Sequence, residues 1–157
     1  MTTEREEGMN APRIVRGSAA GFVAVLVFHQ AALLVLHLAG LVPGVPWRFD
    51  PVPPLGVPAV VSAAFWGGVW GIIFVLLAPR FGRGVGYWAA SILFGAVAPT
   101  LVAWFVVASL KGLPVGGSFA WPGVIIGPIV NGAWGLGTAL VLIAIGGPIP
   151  RSARSGA

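Results

Sequence analysis

The 157-residue sequence contains no cysteine and few charged side chains, and each shortage narrows what the protein can be. Without cysteine, the chain has no disulfide, no thiolate metal site, no iron–sulfur cluster and no cysteine nucleophile. Charged residues make up 8% of the chain, whereas a soluble domain carries about 25%. Because apolar residues reach 57%, we expect one domain embedded in a membrane.

Four apolar runs are long enough to cross a bilayer, and none of them contains Asp, Glu, Lys or Arg. A helix needs about 20 residues to span a hydrocarbon core of about 30 Å. The sequence therefore predicts an all-α, polytopic membrane protein with four transmembrane helices, at 18–39, 58–78, 88–109 and 122–146. These form a transmembrane domain, 18–146, between cytoplasmic tails at 1–17 and 147–157.

The first run also raises the alternative of a cleaved signal peptide. Its apolar stretch exceeds the usual 7–15 residues of such a peptide, and no small-x-small cleavage site follows it. The tail before it carries Glu4, Glu6 and Glu7. We therefore expect an uncleaved first helix.

The basic residues predict the orientation in a bacterial inner membrane. Two of them, Arg48 and Lys111, lie on one side of the expected helices. The others lie on the opposite side, at Arg5, Arg13, Arg16, Arg80, Arg83, Arg151 and Arg154. Since Lys and Arg concentrate in cytoplasmic loops, both termini are expected in the cytoplasm. The scattered charges form no basic patch, which excludes nucleic acid as a partner.

The first connection, "VPGVPWRFDPVPPLGVP" at residues 42–58, is rich in proline. Proline fixes φ and has no backbone N–H, so this loop cannot be helical. We expect an extended, fairly rigid cover over the outer face of the helices.

An internal repeat is suggested by "PAVVSAAFWGGVWG" from Pro58 and "PGVIIGPIVNGAWG" from Pro122, at an offset of 64 (122 − 58). A duplicated helical hairpin explains the match, and both copies would start on the same side, as in parallel membrane repeats. The alternative is chance, because Gly, Val and Trp are frequent in this chain.

Polar residues share one depth near the middle of the expected helices: His29, Gln30, Thr100 and Asn131. Pro99 and Pro128 lie at the same depth and each removes a helix hydrogen bond. Unpaired polar groups are costly in hydrocarbon, so this midplane polar layer must face inward. Interhelical hydrogen bonding is one interpretation, and a polar path or binding site is the other.

His37 is predicted to lie apart from His29, at the outer rim. The two are eight residues apart, which is about 12 Å along a helix and about 80° around it. Near the outer rim, His37 has Asp50 and Arg48 as neighbours. A His37–Asp50 contact is one arrangement, and an Asp50 that is solvated beside Arg48 is the other.

This histidine spacing predicts no metal site and no cofactor. One metal ion cannot bind two histidines eight residues apart on a straight helix. A b-type haem commonly takes two histidines, and here only a symmetric dimer would supply them at His29.

Glycine motifs predict close helix packing. The second helix has G-x-x-x-G at Gly67 and Gly71, and the fourth has it at Gly123 and Gly127. The face of the fourth helix continues to Gly135. Because such motifs let backbones approach, we expect the second and fourth helices to pack with each other or across an oligomer.

No catalytic residue is predicted. The sequence has neither paired carboxylates nor a phosphate loop, and Ser62, Ser91 and Ser109 are lone hydroxyls expected to bond their own helix backbone. The protein is therefore expected not to be an enzyme.

The segments "FHQ", "PVPPLGVPAVVSAAFWGGVWG", "APTLVAWFVVASLKGLPV" and "NGAWGLGTAL" resemble a set of small bacterial inner-membrane proteins with no assigned activity. This resemblance covers nearly the whole chain beyond the N-terminal tail, and it implies a four-helix membrane protein with nothing catalytic. The expected function is an interaction or accessory subunit that packs through glycine-rich faces. Its expected partners are the lipid bilayer and either another membrane protein or a second copy. The alternative is a permease or channel for a small neutral solute, using the midplane polar layer.

Overall fold

The fold is seen in a computed structural model that describes the backbone of residues 3–146 and the side chains of residues 11–146. Within this range there are four helices long and apolar enough to cross a membrane, which confirms the all-α architecture. The tail 147–157, with Arg151 and Arg154, and the side chains of Glu4, Arg5, Glu6 and Glu7 lie outside the described residues.

The four helices are labelled α1 to α4, and two of them contain a π-helical turn. Helix α1 runs through Thr3–Ala24, the π turn Val25–His29 and Gln30–Leu38. Helix α2 is Ala59–Leu77, extended by a 3₁₀ turn at Ala78–Arg80. Helix α3 runs through Val85–Leu101, the π turn Val102–Val107 and Ala108–Leu110, and α4 is Gly123–Ala144.

The first helix begins earlier than predicted. The sequence placed a tail at 1–17, whereas the backbone is helical from Thr3, and the apolar span itself begins at Ala11. Arg13 accounts for part of this earlier start, because its side chain binds the neighbouring helix α2 instead of being solvated in a tail. Its Nε and Nη2 donate to the carbonyl of Val75, at 3.2 and 2.6 Å, and Nη2 also reaches Leu76 at 3.3 Å. These carbonyls end α2, where a cation is favourable.

The first connection is not helical, as expected, and it contains a small hairpin that was not expected. Strands β1, Pro51–Val52, and β2, Val57–Pro58, pair antiparallel around a turn in which Gly56 has φ +67°. Two backbone bonds tie the loop to the start of α2, from Ala59 to Asp50 and from Val60 to Arg48, each 3.0 Å. We call this end of the bundle the loop end, and the end carrying Arg80 and Arg83 the basic end.

Helices α1 and α2 touch backbone to backbone through glycines. A Cβ added to Gly71 would overlap the carbonyl oxygen of Gly17, and one added to Gly21 would overlap that of Gly67. A side chain at any of these positions would push the helices apart. The pair is therefore held together by close contact of small residues.

Helices α3 and α4 meet in the same way. A Cβ added to Gly135 would overlap the carbonyl oxygen of Ser91, and one added to Gly95 would overlap that of Asn131. Each hairpin therefore has a glycine-lined seam at its centre.

The expected partner of Gly67 and Gly71 was wrong. Both face α1, and α4 approaches Gly67 with the indole of Trp134. Within α4, Gly127 lies against the Thr100 side chain of α3, while a Cβ on Gly123 would meet nothing within 4 Å. The sequence shows which faces are small but not which helix covers them, and Gly17 had been assigned to a tail.

The two hairpins join through α1 and α4 and through an aromatic core. Phe28 of α1 lies over Gly137 of α4, and the buried Trp134 indole donates to the carbonyl of Gly21 at 2.9 Å. Between α2 and α3, the ring of Phe94 lies 5.6 Å from Phe74 and 6.1 Å from Trp70, centroid to centroid. The core therefore lies in the half of the bundle nearer the basic end.

The glycine seams predict matched effects of Gly71→Ala and Gly135→Ala. Each added methyl meets backbone, which cannot rotate away, so we expect each variant to lose about 1–3 kcal/mol of unfolding free energy. Reversible unfolding in mixed detergent micelles measures this loss. Gly123→Ala, in open space, is the control and should be neutral or slightly stabilising. Equal behaviour of all three variants would contradict the seams.

Candidate functional site

The π turn of α1 leaves a backbone carbonyl without its usual helix partner. The N–H of Gln30 bonds the carbonyls of Val25 and Val27, so that of Leu26 does not receive the bond of a regular α-helix. The indole Nε1 of Trp47, from the first connection, donates to the Leu26 carbonyl at 2.8 Å. A loop residue therefore donates to the carbonyl that Gln30 N–H would reach in a regular α-helix.

The side chain of Gln30 holds the same loop residue. Its Oε1 accepts the backbone N–H of Trp47 at 2.8 Å, and Gln30 itself is only 5% exposed. Trp47 has φ +49°, a left-handed conformation that costs a non-glycine residue roughly 1–2 kcal/mol. We call this arrangement, Trp47 bonded to the Leu26 carbonyl and to Gln30, the Trp47 latch.

His29, the last residue of this π turn, is not paired. Among the described side chains, its Nδ1 is the buried nitrogen or oxygen that has no hydrogen-bond partner. In the sequence, His29 precedes Gln30 and lies three residues after Leu26, so it belongs to the same turn as both residues that hold Trp47. A buried nitrogen without a hydrogen bond is unfavourable, unless a bound molecule pairs it when the protein functions.

The other two residues of the midplane polar layer bond each other. Asn131 Nδ2 of α4 donates to Thr100 Oγ1 of α3 at 2.9 Å, and Thr100 is 1% exposed. The four residues expected to face each other therefore divide into three places: the Thr100–Asn131 pair, Gln30 in the Trp47 latch, and His29. Two of these places are interhelical or loop-to-helix hydrogen bonding.

At the loop end, where His37 and Asp50 were expected to meet, the two residues have separate partners. The ring Nδ1 of His37 lies 3.0 Å from the carbonyl of Val42, and because a carbonyl only accepts, Nδ1 carries the proton. Arg48 Nε lies 3.0 Å from Asp50 Oδ2, and both side chains are exposed. The solvated Arg48–Asp50 pair is the arrangement found, and it contributes little to stability.

Hydroxyl groups in α3 bond their own helix, as predicted. Ser91 Oγ donates to the carbonyl of Tyr87 at 2.8 Å, and Ser109 Oγ to that of Phe105 at 2.7 Å. Within residues 11–146, no three His, Asp or Glu side chains are grouped to hold a metal ion.

A second loop aromatic covers the π turn of α3. The ring of Phe119 lies 5.4 Å from Trp104 and 6.2 Å from Phe105, centroid to centroid. Like Trp47, Phe119 has a left-handed backbone, with φ +53°. The sequence predicted neither of these loop-to-helix contacts. The one signal for the first was Gln30, a glutamine at membrane depth without an evident partner.

The Thr100–Asn131 bond predicts a measurable coupling. In a double-mutant cycle with Thr100→Val and Asn131→Ala, we expect about 0.6 kcal/mol of coupling, and no more than about 1.7 kcal/mol. Unfolding free energies in detergent micelles provide the four corners of the cycle. The control cycle pairs Asn131→Ala with Ser109→Ala, whose hydroxyl bonds its own helix, and its coupling should be near zero. A coupling no larger than that of the control would contradict the bond.

Comparison with known proteins identifies no relative of this chain. No protein-family model, no curated protein and no solved structure matches the sequence. We therefore infer function from the contacts of the described residues.

Proposed function

We propose that the protein is a multi-pass protein of the bacterial inner membrane that serves as an interaction or accessory subunit. Four apolar helices support the membrane location. The concentration of arginine at the basic end is typical of the cytoplasmic side of an inner-membrane protein. The observation that carries the subunit role is the exposed π-helical half of α3.

The exposed half of α3 differs from the other helices. No residue of Val102–Val107 is buried in the chain, and α3 is the least buried of the four spans. Its exposed apolar side chains are Leu101, Val102, Phe105, Val106 and Val107. A π turn is a rare, locally unfavourable geometry that is frequent at functional sites. An apolar, π-helical surface of this kind suits another membrane-spanning helix as its partner.

The glycine seams cannot serve the partner, because they are used within the chain. Gly67 and Gly71 are covered by α1, and Gly135 is covered by α3. We therefore assign the contact surface for the partner to α3 and not to the glycine faces. Gly123, at the loop end of α4, is the member of the predicted motifs with open space around it.

A duplicated hairpin is the second part of the proposal. The seam contacts of Gly17, Gly21, Gly67 and Gly71 recur at Ser91, Gly95, Asn131 and Gly135. The offset is 74 (95 − 21) for the first helix of each hairpin and 64 (135 − 71) for the second. The difference reflects a longer first connection. Both first helices also have a π turn toward the loop end.

One observation favours the alternative function, a permease or channel for a small neutral solute. His29 Nδ1 is buried and unpaired at the depth of the predicted layer. The remaining members of that layer already have partners, which favours a packing role for them.

The contact surface on α3 is tested with Val106→Trp. A bulky ring on an exposed position leaves the monomer intact but blocks a tightly packed neighbour, so we expect a smaller complex in native gels of mildly solubilised membranes. Val61→Trp on α2 is the matched control, since Val61 is 43% exposed and Val106 is 49% exposed. Identical complex sizes would contradict the proposal, and flux of a small neutral solute through proteoliposomes, abolished by His29→Leu, would establish the alternative.

The orientation is tested with single cysteines, for which the cysteine-free chain is its own blank. The positive-inside rule predicts that L55C, in the exposed loop, is labelled by a membrane-impermeant maleimide on spheroplasts. R83C, at the basic end, should be labelled only after the membrane is broken. The reverse pattern would contradict an orientation with both termini in the cytoplasm.

A further inference from the structure

The Trp47 latch occupies a surface on α1 that presents two hydrogen-bond acceptors. These are the Leu26 carbonyl and Gln30 Oε1, one helical turn apart on the same side of α1. Trp47 meets both with its own two donors, the indole N–H and the backbone N–H. His29, whose buried Nδ1 is unpaired, precedes Gln30 in the sequence and ends the same π turn. We call this surface the α1 acceptor site.

Trp47 is attached to this site less firmly than a core residue would be. It is 38% exposed and has a left-handed backbone at φ +49°. The loop itself is held elsewhere, because Arg48 and Asp50 accept backbone bonds from Val60 and Ala59 at the start of α2. Trp47 can therefore leave α1 while the rest of the loop stays on α2.

The closed arrangement also leaves an unfavourable feature in place. With Trp47 bound, both acceptors are satisfied, yet His29 Nδ1 stays buried without a partner. A buried polar atom without a hydrogen bond destabilises the state that contains it. The latched state is therefore less stable than one in which this nitrogen has a partner.

The two hairpins differ in how their loop aromatic residue contacts the π turn. The second connection also places an aromatic residue over a π turn, but Phe119 has no N–H on its ring and packs there through Trp104 and Phe105. The paired donors and acceptors are thus found in the first hairpin, within the longer connection. Hydrogen bonding is therefore a specific property of the α1 acceptor site.

We propose that the α1 acceptor site binds a small molecule that carries an aromatic N–H and an amide N–H, and that Trp47 is its built-in occupant, displaced when the ligand binds. The chemical class is an indole-like amide, because the occupant has an indole and an amide N–H separated by two carbons. This inference does not depend on the proposed subunit role, since it concerns α1 and not α3.

The test removes the occupant and supplies its equivalent. Trp47→Gly deletes the indole, and glycine adopts positive and negative φ without strain, so the loop can keep its fold and its backbone can also leave Gln30 at little cost. The probe is N-acetyl-5-fluorotryptamine, in which the indole and the amide N–H have the same spacing as in Trp47. Binding to protein in lipid nanodiscs is followed by ¹⁹F NMR, with empty nanodiscs as the measure of partitioning into lipid.

We expect the probe to bind Trp47→Gly at least roughly tenfold more tightly than the unaltered protein, because the internal competitor is gone. Its indole N-methyl derivative lacks the donor for the Leu26 carbonyl and should bind roughly tenfold more weakly, the value of one good hydrogen bond. The chain has two histidines, so ¹⁵N-histidine spectra give an internal control. The imidazole signals of His29 should move on binding, and those of His37 should not.

Equal affinity for the variant and the unaltered protein would overturn the proposal, as would equal affinity of the N-methyl derivative, which would indicate partitioning into lipid only. If Trp47→Gly does not fold, Trp47→Phe serves instead, since it keeps an aromatic ring but has no indole N–H. Stronger probe binding by Trp47→Phe than by the unaltered protein would then support the site, and unchanged binding would overturn it.

Discussion

Gly21 and Gly71 let the backbones of α1 and α2 touch, and Gly95 and Gly135 do the same for α3 and α4. In a bilayer this contact matters more than apolar burial, because lipid tails are as apolar as leucine and helices gain little by leaving them. Such close contact permits few relative positions, since any sliding brings a side chain against a carbonyl. The register of each hairpin follows from it, and so does the position of Trp134, whose indole reaches the Gly21 carbonyl.

Backbone and side-chain polar groups have then to find partners within that fixed register. Where helices pack closely, the partner comes from the facing helix, as Asn131 does for Thr100. Where α1 departs from regular α geometry, the partner comes from a loop, as Trp47 does for Leu26. Arg13 serves the carbonyls at the end of α2 in the same manner. The polar residues of this chain are few, and several of them satisfy groups that the backbone geometry would otherwise leave unpaired.

The sequence predicted what depends on local pattern. The length of the apolar runs predicted the four helices, and the proline content excluded a helix in the first connection. The shared depth of Thr100 and Asn131 predicted that they lie close together. It did not predict the Trp47 latch, which requires a π turn, a left-handed loop residue and a long-range contact, none of which has a local signature. It also assigned Gly71 the wrong neighbour, because Gly17, which contacts Gly71, lies next to Arg16 and was placed in the charged tail.

Whether the midplane polar layer serves packing or transport depends on one residue, His29. A path for a polar solute needs a run of groups free to exchange hydrogen bonds, and Thr100 and Asn131 are engaged with each other. On α1, Gln30 is engaged with Trp47, and His29 alone is buried without a partner. If Trp47 stays in place, His29 is isolated and the layer is structural. If Trp47 leaves, Gln30 Oε1 and the Leu26 carbonyl become available together, so any solute-binding role of these α1 groups depends on displacement of the latch.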